Sequence, residues 1–230
     1  MKPTVLLFDV DGTLVTTGGA GRRALERVFE LLYGRDDACR HFPFDGMTDR
    51  AIVRAGLRAI GRTEAEEEID YVLARYVDVL EQEVRKIGDG RYRIHRGMIE
   101  ALDAAAARAH MAIGLGTGNI REGARVKLQR VGIYERFRFG GFGCDHEDRA
   151  ELIRVGARRG AEHLDVSLEE CRVAVIGDTP KDVAAAAAVG AEAIGVGTGN
   201  FHPDALLACG ARYAFADLSD PRALPALLGE

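Results

Sequence analysis

Apolar residues along this chain follow two rhythms. Short runs such as TVLLF (4–8), HMAIGLG (110–116), RVAVIG (172–177), EAIGV (192–196) and RYAFA (212–216) read as buried strands. Between the later runs, residues 97–109, 121–131, 149–160, 180–189 and 203–209 show helical periodicity. Strand alternating with helix predicts an α/β fold, a Rossmann-like parallel sheet with helices on both faces. Ligands bind such sheets beyond the carboxyl ends of the strands.

One connection departs from this alternation. From about residue 20 to 90 the pattern is helical throughout. Residues 20–33 and 48–60 are amphipathic, with Thr48 placed to cap the second stretch. Over 64–87, Ile69, Val72, Leu73, Tyr76, Val77, Leu80, Val84 and Ile87 make one apolar stripe. Glycine-bearing TTGGAG (16–21) and GDGR (88–91) mark the two joints. The expected organisation is a core from residues 1–15 and 96–230, with an all-helical insert over 16–95.

Composition narrows the function classes. The 230 residues carry a net charge of -5, are 47% hydrophobic and are 29% charged. That describes a globular protein without the basic surface nucleic acid requires. No apolar run is long enough to span a membrane. Charged DVDG follows too closely on Met1 to leave room for a secretion signal. The four cysteines, Cys39, Cys144, Cys171 and Cys209, are scattered. Reduced thiols and a cytoplasmic location are expected.

Chemistry concentrates at two predicted strand ends. FDVDGT (8–13) places Asp9 and Asp11 where the first predicted strand would stop, and Gly12 lets the backbone turn after them. GDTPKD (177–182) places Asp178 and Asp182 at a later strand end, with Pro180 suited to a helix start. Crowded carboxylates repel unless a cation lies between them or a proton stays bound. Two acidic pairs at one sheet edge describe an all-oxygen site of the kind Mg²⁺ prefers. A phrase also occurs twice, IGLGTGN at 113–119 and IGVGTGN at 194–200.

DVDGT, LGTGN, a basic residue and GDTPKD, in that order, resemble the haloacid dehalogenase superfamily. The resemblance is closest to phosphoglycolate phosphatase-like members, in which the helical insert is a cap that sets specificity. It implies that Thr117 in the first copy, with the Gly118 and Asn119 amides, grips phosphate. Thr198 comes too late in the order, so the second copy is expected to be a rim turn without contacts.

The resemblance further implies a Mg²⁺-dependent phosphatase for a small phosphorylated metabolite. Asp9 would attack phosphorus to form an aspartyl phosphate. Asp11 would protonate the leaving alkoxide and then activate water. Asp9, Asp11 through its carbonyl, Asp178 and Asp182 are the metal candidates, with Asp182 either a ligand or an orienting carboxylate.

The usual family lysine is missing before the last motif, where the chain reads CDHEDRAELI (144–153). Arg149 is the expected substitute and Lys181 the alternative. The loop Asp145–Asp148 reads as a polar turn with Asp148 capping a helix. In the cap, Thr48, Asp49 and Arg50 from DGMTDRAI (45–52) are candidate substrate contacts. Arg22 and Arg23 could meet a carboxylated substrate. Alternative functions are a phosphosugar mutase of the β-phosphoglucomutase type and a catalytically idle binding protein on the same scaffold.

Overall fold

The computed structural model describes residues 2–230. The first apolar run forms β1 (Thr4–Phe8), every residue of it buried. Six strands make one sheet, and every pairing in it is parallel: β1, β4 (Met111–Thr117), β5 (Phe139–Phe142), β6 (Arg172–Gly177), β7 (Glu192–Val196) and β8 (Tyr213–Phe215). Their order is β5-β4-β1-β6-β7-β8. The chain moves outward from β1 through β4 to β5, then crosses to β6 on the other side. The reversal falls between β1 and β6, where open α/β sheets leave a crevice.

Alternating residues of β1 feed two cores. Leu6 and Phe8 pack with residues of α4 (Met98–Ala106), α5 (Arg121–Gln129) and α9 (Ala223–Leu228). Val5 and Leu7 pack with α6 (Arg149–His163), α7 (Pro180–Ala188) and α8 (Pro203–Ala208). The expected helices on both faces are therefore present. β5 was not anticipated from the sequence.

The inserted stretch is helical, as its pattern predicts. α1 (Ala20–Tyr33), α2 (Asp49–Ala59) and α3 (Glu66–Lys86) share an apolar cluster with Ile120 and Val126 of the α5 region. Val79, rather than Val77, completes the buried stripe of α3. Two short strands, β2 (Val15–Thr16) and β3 (Arg93–Ile94), pair antiparallel at the two ends of the insert. Among the described residues no helix is long and apolar enough to cross a membrane.

Candidate active site

Sheet register assembles the site. Phe8 lies level with Leu115 and Ile176. Asp9 therefore emerges beside Gly116 and Gly177, with Thr117 and Asp178 one residue further on. The Asp9 amide donates to the Ile176 carbonyl at 2.9 Å, which extends the ladder into the site. Gly12 then turns the chain at φ 78°, and a Cβ there would lie 2.4 Å from Asp178 Oδ2. Both the dihedral and the space demand glycine. Thr13 donates its hydroxyl to Asp178 Oδ1 at 3.0 Å.

Carboxylate oxygens of Asp9, Asp178 and Asp182 all lie within 4.8 Å of one another, and all three residues are buried. One cation faces them. Arg149, the first residue of α6, reaches Asp9 Oδ1 at 3.1 Å through Nη2 and Asp182 Oδ1 at 2.9 Å through Nε. Asp182 Oδ2 accepts from the Thr179 amide at 3.0 Å and the Thr179 hydroxyl at 2.7 Å. Asp182 thus closes a capping box at the start of α7 while it anchors Arg149.

Asp9 and Asp178 bear the cost of this crowding. Burial pushes the Asp9 carboxyl up to about 6, with Asp182 adding to it and Arg149 and Thr117 opposing. Burial, then the charges of Asp9 and Asp182, push Asp178 up to about 8. A dry pair of oxygen donors that resists ionisation is what a hard divalent cation would relieve. The donor set fits a divalent cation, with Asp9 and Asp178 as the carboxylates that would hold it.

Asp11 sits in a different environment. Lys127 Nζ donates to its Oδ2 at 2.6 Å, Asn119 Nδ2 to the same oxygen at 2.8 Å, and Thr17 to Oδ1 at 3.1 Å. Burial alone would raise its carboxyl, but the Lys127 charge and these hydrogen bonds outweigh burial and hold it below the ordinary value. Lys127 is itself buried in α5, and Asp11 and Asp49 keep its ammonium charged against burial. Sequence reasoning missed Lys127. Its signal was its position: Ala124, Lys127 and Leu128 share one helix face, and the other two are core residues.

A family model for haloacid dehalogenase-like hydrolases matches residues 6–187. The chain belongs to that family. A second model, for HAD-hydrolase-like chains, matches residues 154–221 of this haloacid dehalogenase-like hydrolase. No curated protein matches it by sequence. Among solved structures it is similar to CbbY from Rhodobacter sphaeroides in complex with phosphate, at 17% identity and TM-score 0.69, covering 96% of each chain. A hydrolase from Pseudomonas syringae gives 17% identity and TM-score 0.67, over 94% of this chain and 95% of that one. A Thermotoga maritima protein named as a β-phosphoglucomutase gives 23% identity and TM-score 0.61, over 98% of this chain and 99% of that one. At these identities the likeness is one of fold.

In this family member, a cavity of about 420 Å³ opens over the site. Asp9, Asp11, Gly118, Asn119, Arg149 and Asp178 line it. Thr117 is fully buried behind them, and its hydroxyl accepts from Asn119 Nδ2 at 2.9 Å. Lys181 does not reach Asp9; it packs against the turn at Gly46. Of the three insert candidates only Asp49 faces the cavity. Thr48 caps α2, accepting from the Ala51 amide, and donates to the Glu147 carbonyl at 3.2 Å. Arg50 turns away to pair with Glu66 and Asp70.

Other expectations sort as clearly. Arg22 lines the cavity, yet its guanidinium donates to the carbonyls of Cys39 at 3.0 Å and Phe42 at 3.2 Å and stacks on Phe44. Arg23 faces elsewhere, bonded to the Gly18 carbonyl and Glu83. Asp148 caps α6 and Asp145 pairs with Arg159, so loop 145–148 is the polar turn expected.

The second Gly-Thr-Gly copy needs correction, because it is not a turn without contacts. Thr198 donates to the Gly12 carbonyl, and Asn200 Nδ2 donates to Asp45 Oδ1 at 2.6 Å. A Cβ on Gly199 would lie 1.8 Å from Asp178 Oδ2. The missing side chain is what lets this loop close onto the carboxylate.

Proposed function

We propose that this hydrolase is a Mg²⁺-dependent phosphatase that cleaves a small phosphate monoester through an aspartyl phosphate. The observation that carries the reading is the division of labour between two carboxylates two residues apart. Asp9 joins an electron-rich trio backed by Arg149, while Asp11 stands apart on Lys127, Asn119 and Thr17. In this reading Asp9 is the nucleophile at phosphorus. Arg149 neutralises Asp9 and Asp182 in the resting site and offers a guanidinium to the equatorial oxygens. Gly118 and Asn119, which line the cavity in front of Thr117, take the remaining phosphate oxygens.

Asp11 moves the protons. Lys127 holds it as a carboxylate, the form that can take a proton from water in the hydrolytic step. An arriving phosphate dianion raises the proton affinity of Asp11, which favours the acid needed to protonate the leaving alkoxide. Bound between Asp9 and Asp178, Mg²⁺ would supply positive charge that screens attack on an anionic phosphoryl group. Residues 16–95 serve as a cap over the cavity, and the four free thiols fit a cytoplasmic setting.

A second reading, the phosphosugar mutase, gains from Asp49. Burial pushes its carboxyl up to about 6, suitable for acid–base work from the insert side. Product analysis separates the two, since a phosphatase releases inorganic phosphate and a mutase returns an isomerised ester. Turnover of an aryl phosphate with Mg²⁺, with EDTA and by Asp9→Asn tests the main reading. We expect EDTA to stop turnover and the variant to lose at least about a thousandfold in kcat. A variant as active as wild type would remove Asp9 from the chemistry.

A further inference from the structure

Beyond the phosphate-handling residues, three buried polar side chains converge on the far end of the cavity. Asp49 opens α2, Tyr76 lies midway along α3, and Lys127 comes from α5. Their exposures are 6%, 0% and 3%. They meet around two glycines. A Cβ on Gly21 would lie 3.3 Å from Lys127 Nζ and 3.4 Å from the Tyr76 hydroxyl. A Cβ on Gly123 would lie 3.5 Å from Asp49 Oδ2 and 3.6 Å from Tyr76 Cε1. All three side chains line the same cavity as Asp9 and Asp11.

Each retains unused hydrogen-bonding capacity. The Tyr76 side chain lines the cavity, its hydroxyl beside Gly21 and Lys127 Nζ. Asp49 accepts one hydrogen bond, at Oδ2 from the Ile120 amide at 2.8 Å, leaving Oδ1 open. Lys127 Nζ donates to Asp11 and Asn119, and an ammonium has three N–H groups. No fully buried side-chain polar atom among the described residues lacks a partner, so these open valences face the cavity, where a polar group of a ligand can take them.

We infer that Asp49, Tyr76 and Lys127 form a subsite that reads a hydroxyl group on the leaving alcohol, selecting neutral, hydroxyl-bearing phosphate monoesters over carboxylated ones. This rests on the phosphatase reading. A hydroxyl donates and accepts at once, which matches one acceptor, Asp49, beside two donors. A carboxylate only accepts and would meet the Asp49 charge. No uncommitted cation waits for it. Lys127 is paired with Asp11 at 2.6 Å, and Arg22 is committed to backbone carbonyls and the Phe44 ring.

The test compares kcat/KM for a polyol phosphate, its deoxy analogue, phosphoglycolate and an aryl phosphate, all with Mg²⁺. Wild type should favour the polyol ester over the deoxy analogue by at least about tenfold, because the analogue leaves buried groups unpaired. Tyr76→Phe and Asp49→Asn should each lower that ratio severalfold. Turnover of aryl phosphate without any hydroxyl preference would overturn the subsite and leave the phosphatase standing. Preference for phosphoglycolate would overturn the substrate class. No turnover of any of the four would overturn both readings together.

Discussion

Asp178→Asn should make the metal-free protein more stable while it abolishes the response to Mg²⁺. Asp178 is 4% exposed, and its carboxyl stands at about 8 against an ordinary value of 3.8. A raised carboxyl contributes its full stability below the ordinary value and loses it as pH climbs toward the folded value. For Asp178 that window runs from about pH 4 to about pH 8. At pH 7 the folded chain must keep a proton that the unfolded chain would release. At ~1.4 kcal/mol per pH unit over about three units, the cost approaches ~4 kcal/mol. An amide removes that cost and can still accept from Thr13, which donates to Oδ1 at 3.0 Å in the wild type. A gain of roughly 1–4 kcal/mol corresponds to about 2–4 °C in Tm per kcal/mol for a chain of this size. Melting curves in EDTA and in excess Mg²⁺ across pH 4.5 to 8.5 measure it. In EDTA the advantage of the variant should grow with pH and vanish near pH 4. Mg²⁺ should raise the wild-type Tm, by ~2.7 kcal/mol of stability at a hundredfold excess over Kd, and leave the variant almost unmoved. A variant that melts below wild type in EDTA at pH 8, or an equal Mg²⁺ shift in both proteins, would refute the reasoning.

Two further outcomes follow from neighbouring contacts. Lys127→Met strands the Asp11 and Asp49 carboxylates; with Asp11 39% exposed toward the cavity, we expect a loss of about 1–3 kcal/mol in denaturant melts, below that of a fully buried pair. Aryl phosphate turnover should fall at least about tenfold, and wild-type turnover in this variant would separate Lys127 from Asp11 chemistry. Gly199→Ala drives a methyl into Asp178 Oδ2, so Mg²⁺ half-saturation of turnover should rise about tenfold or more, and overpacking should cost about 1–3 kcal/mol of stability in EDTA. An unchanged half-saturation would show that the loop does not press on the carboxylate.

The strands that frame the site were legible because parallel strands are buried on both faces and read as continuous apolar runs. β5 was not, since its FGGF has neither length nor β-branching. Its glycines answer to a neighbour instead: a Cβ on Gly141 would lie 1.8 Å from the Leu152 carbonyl oxygen of α6. β2 and β3 are two residues each and exist through pairing between positions far apart in the chain. Asp9, Asp11 and Asp178 could be found because a strand end fixes where its next residue emerges. Lys127 and Arg50 could not be placed the same way. Their directions depend on how α5 docks against β1 and on which acids α3 presents to α2. The Asn200–Asp45 bond likewise joins two loops that share no local pattern.

The twin phrases find one physical reason in the sheet. Each occupies the carboxyl end of a strand, β4 or β7, on opposite sides of the β1–β6 pair. Thr117 ends β4, whereas Thr198 lies two residues beyond the end of β7, and their hydroxyls do different work. Thr117 is fully buried and supports Asn119, which in turn holds Asp11. Thr198 reaches the Gly12 carbonyl, fixing the turn that separates Asp11 from Asp178. The glycine after each threonine admits backbone where a side chain would collide. A Cβ on Gly118 would lie 2.4 Å from the Met47 carbonyl oxygen, and one on Gly199 would strike Asp178. The asparagines carry each loop onward, one to Asp11 and one to Asp45 of the insert. A loop of this composition is therefore a way to bring backbone close to a crowded acidic centre from either side.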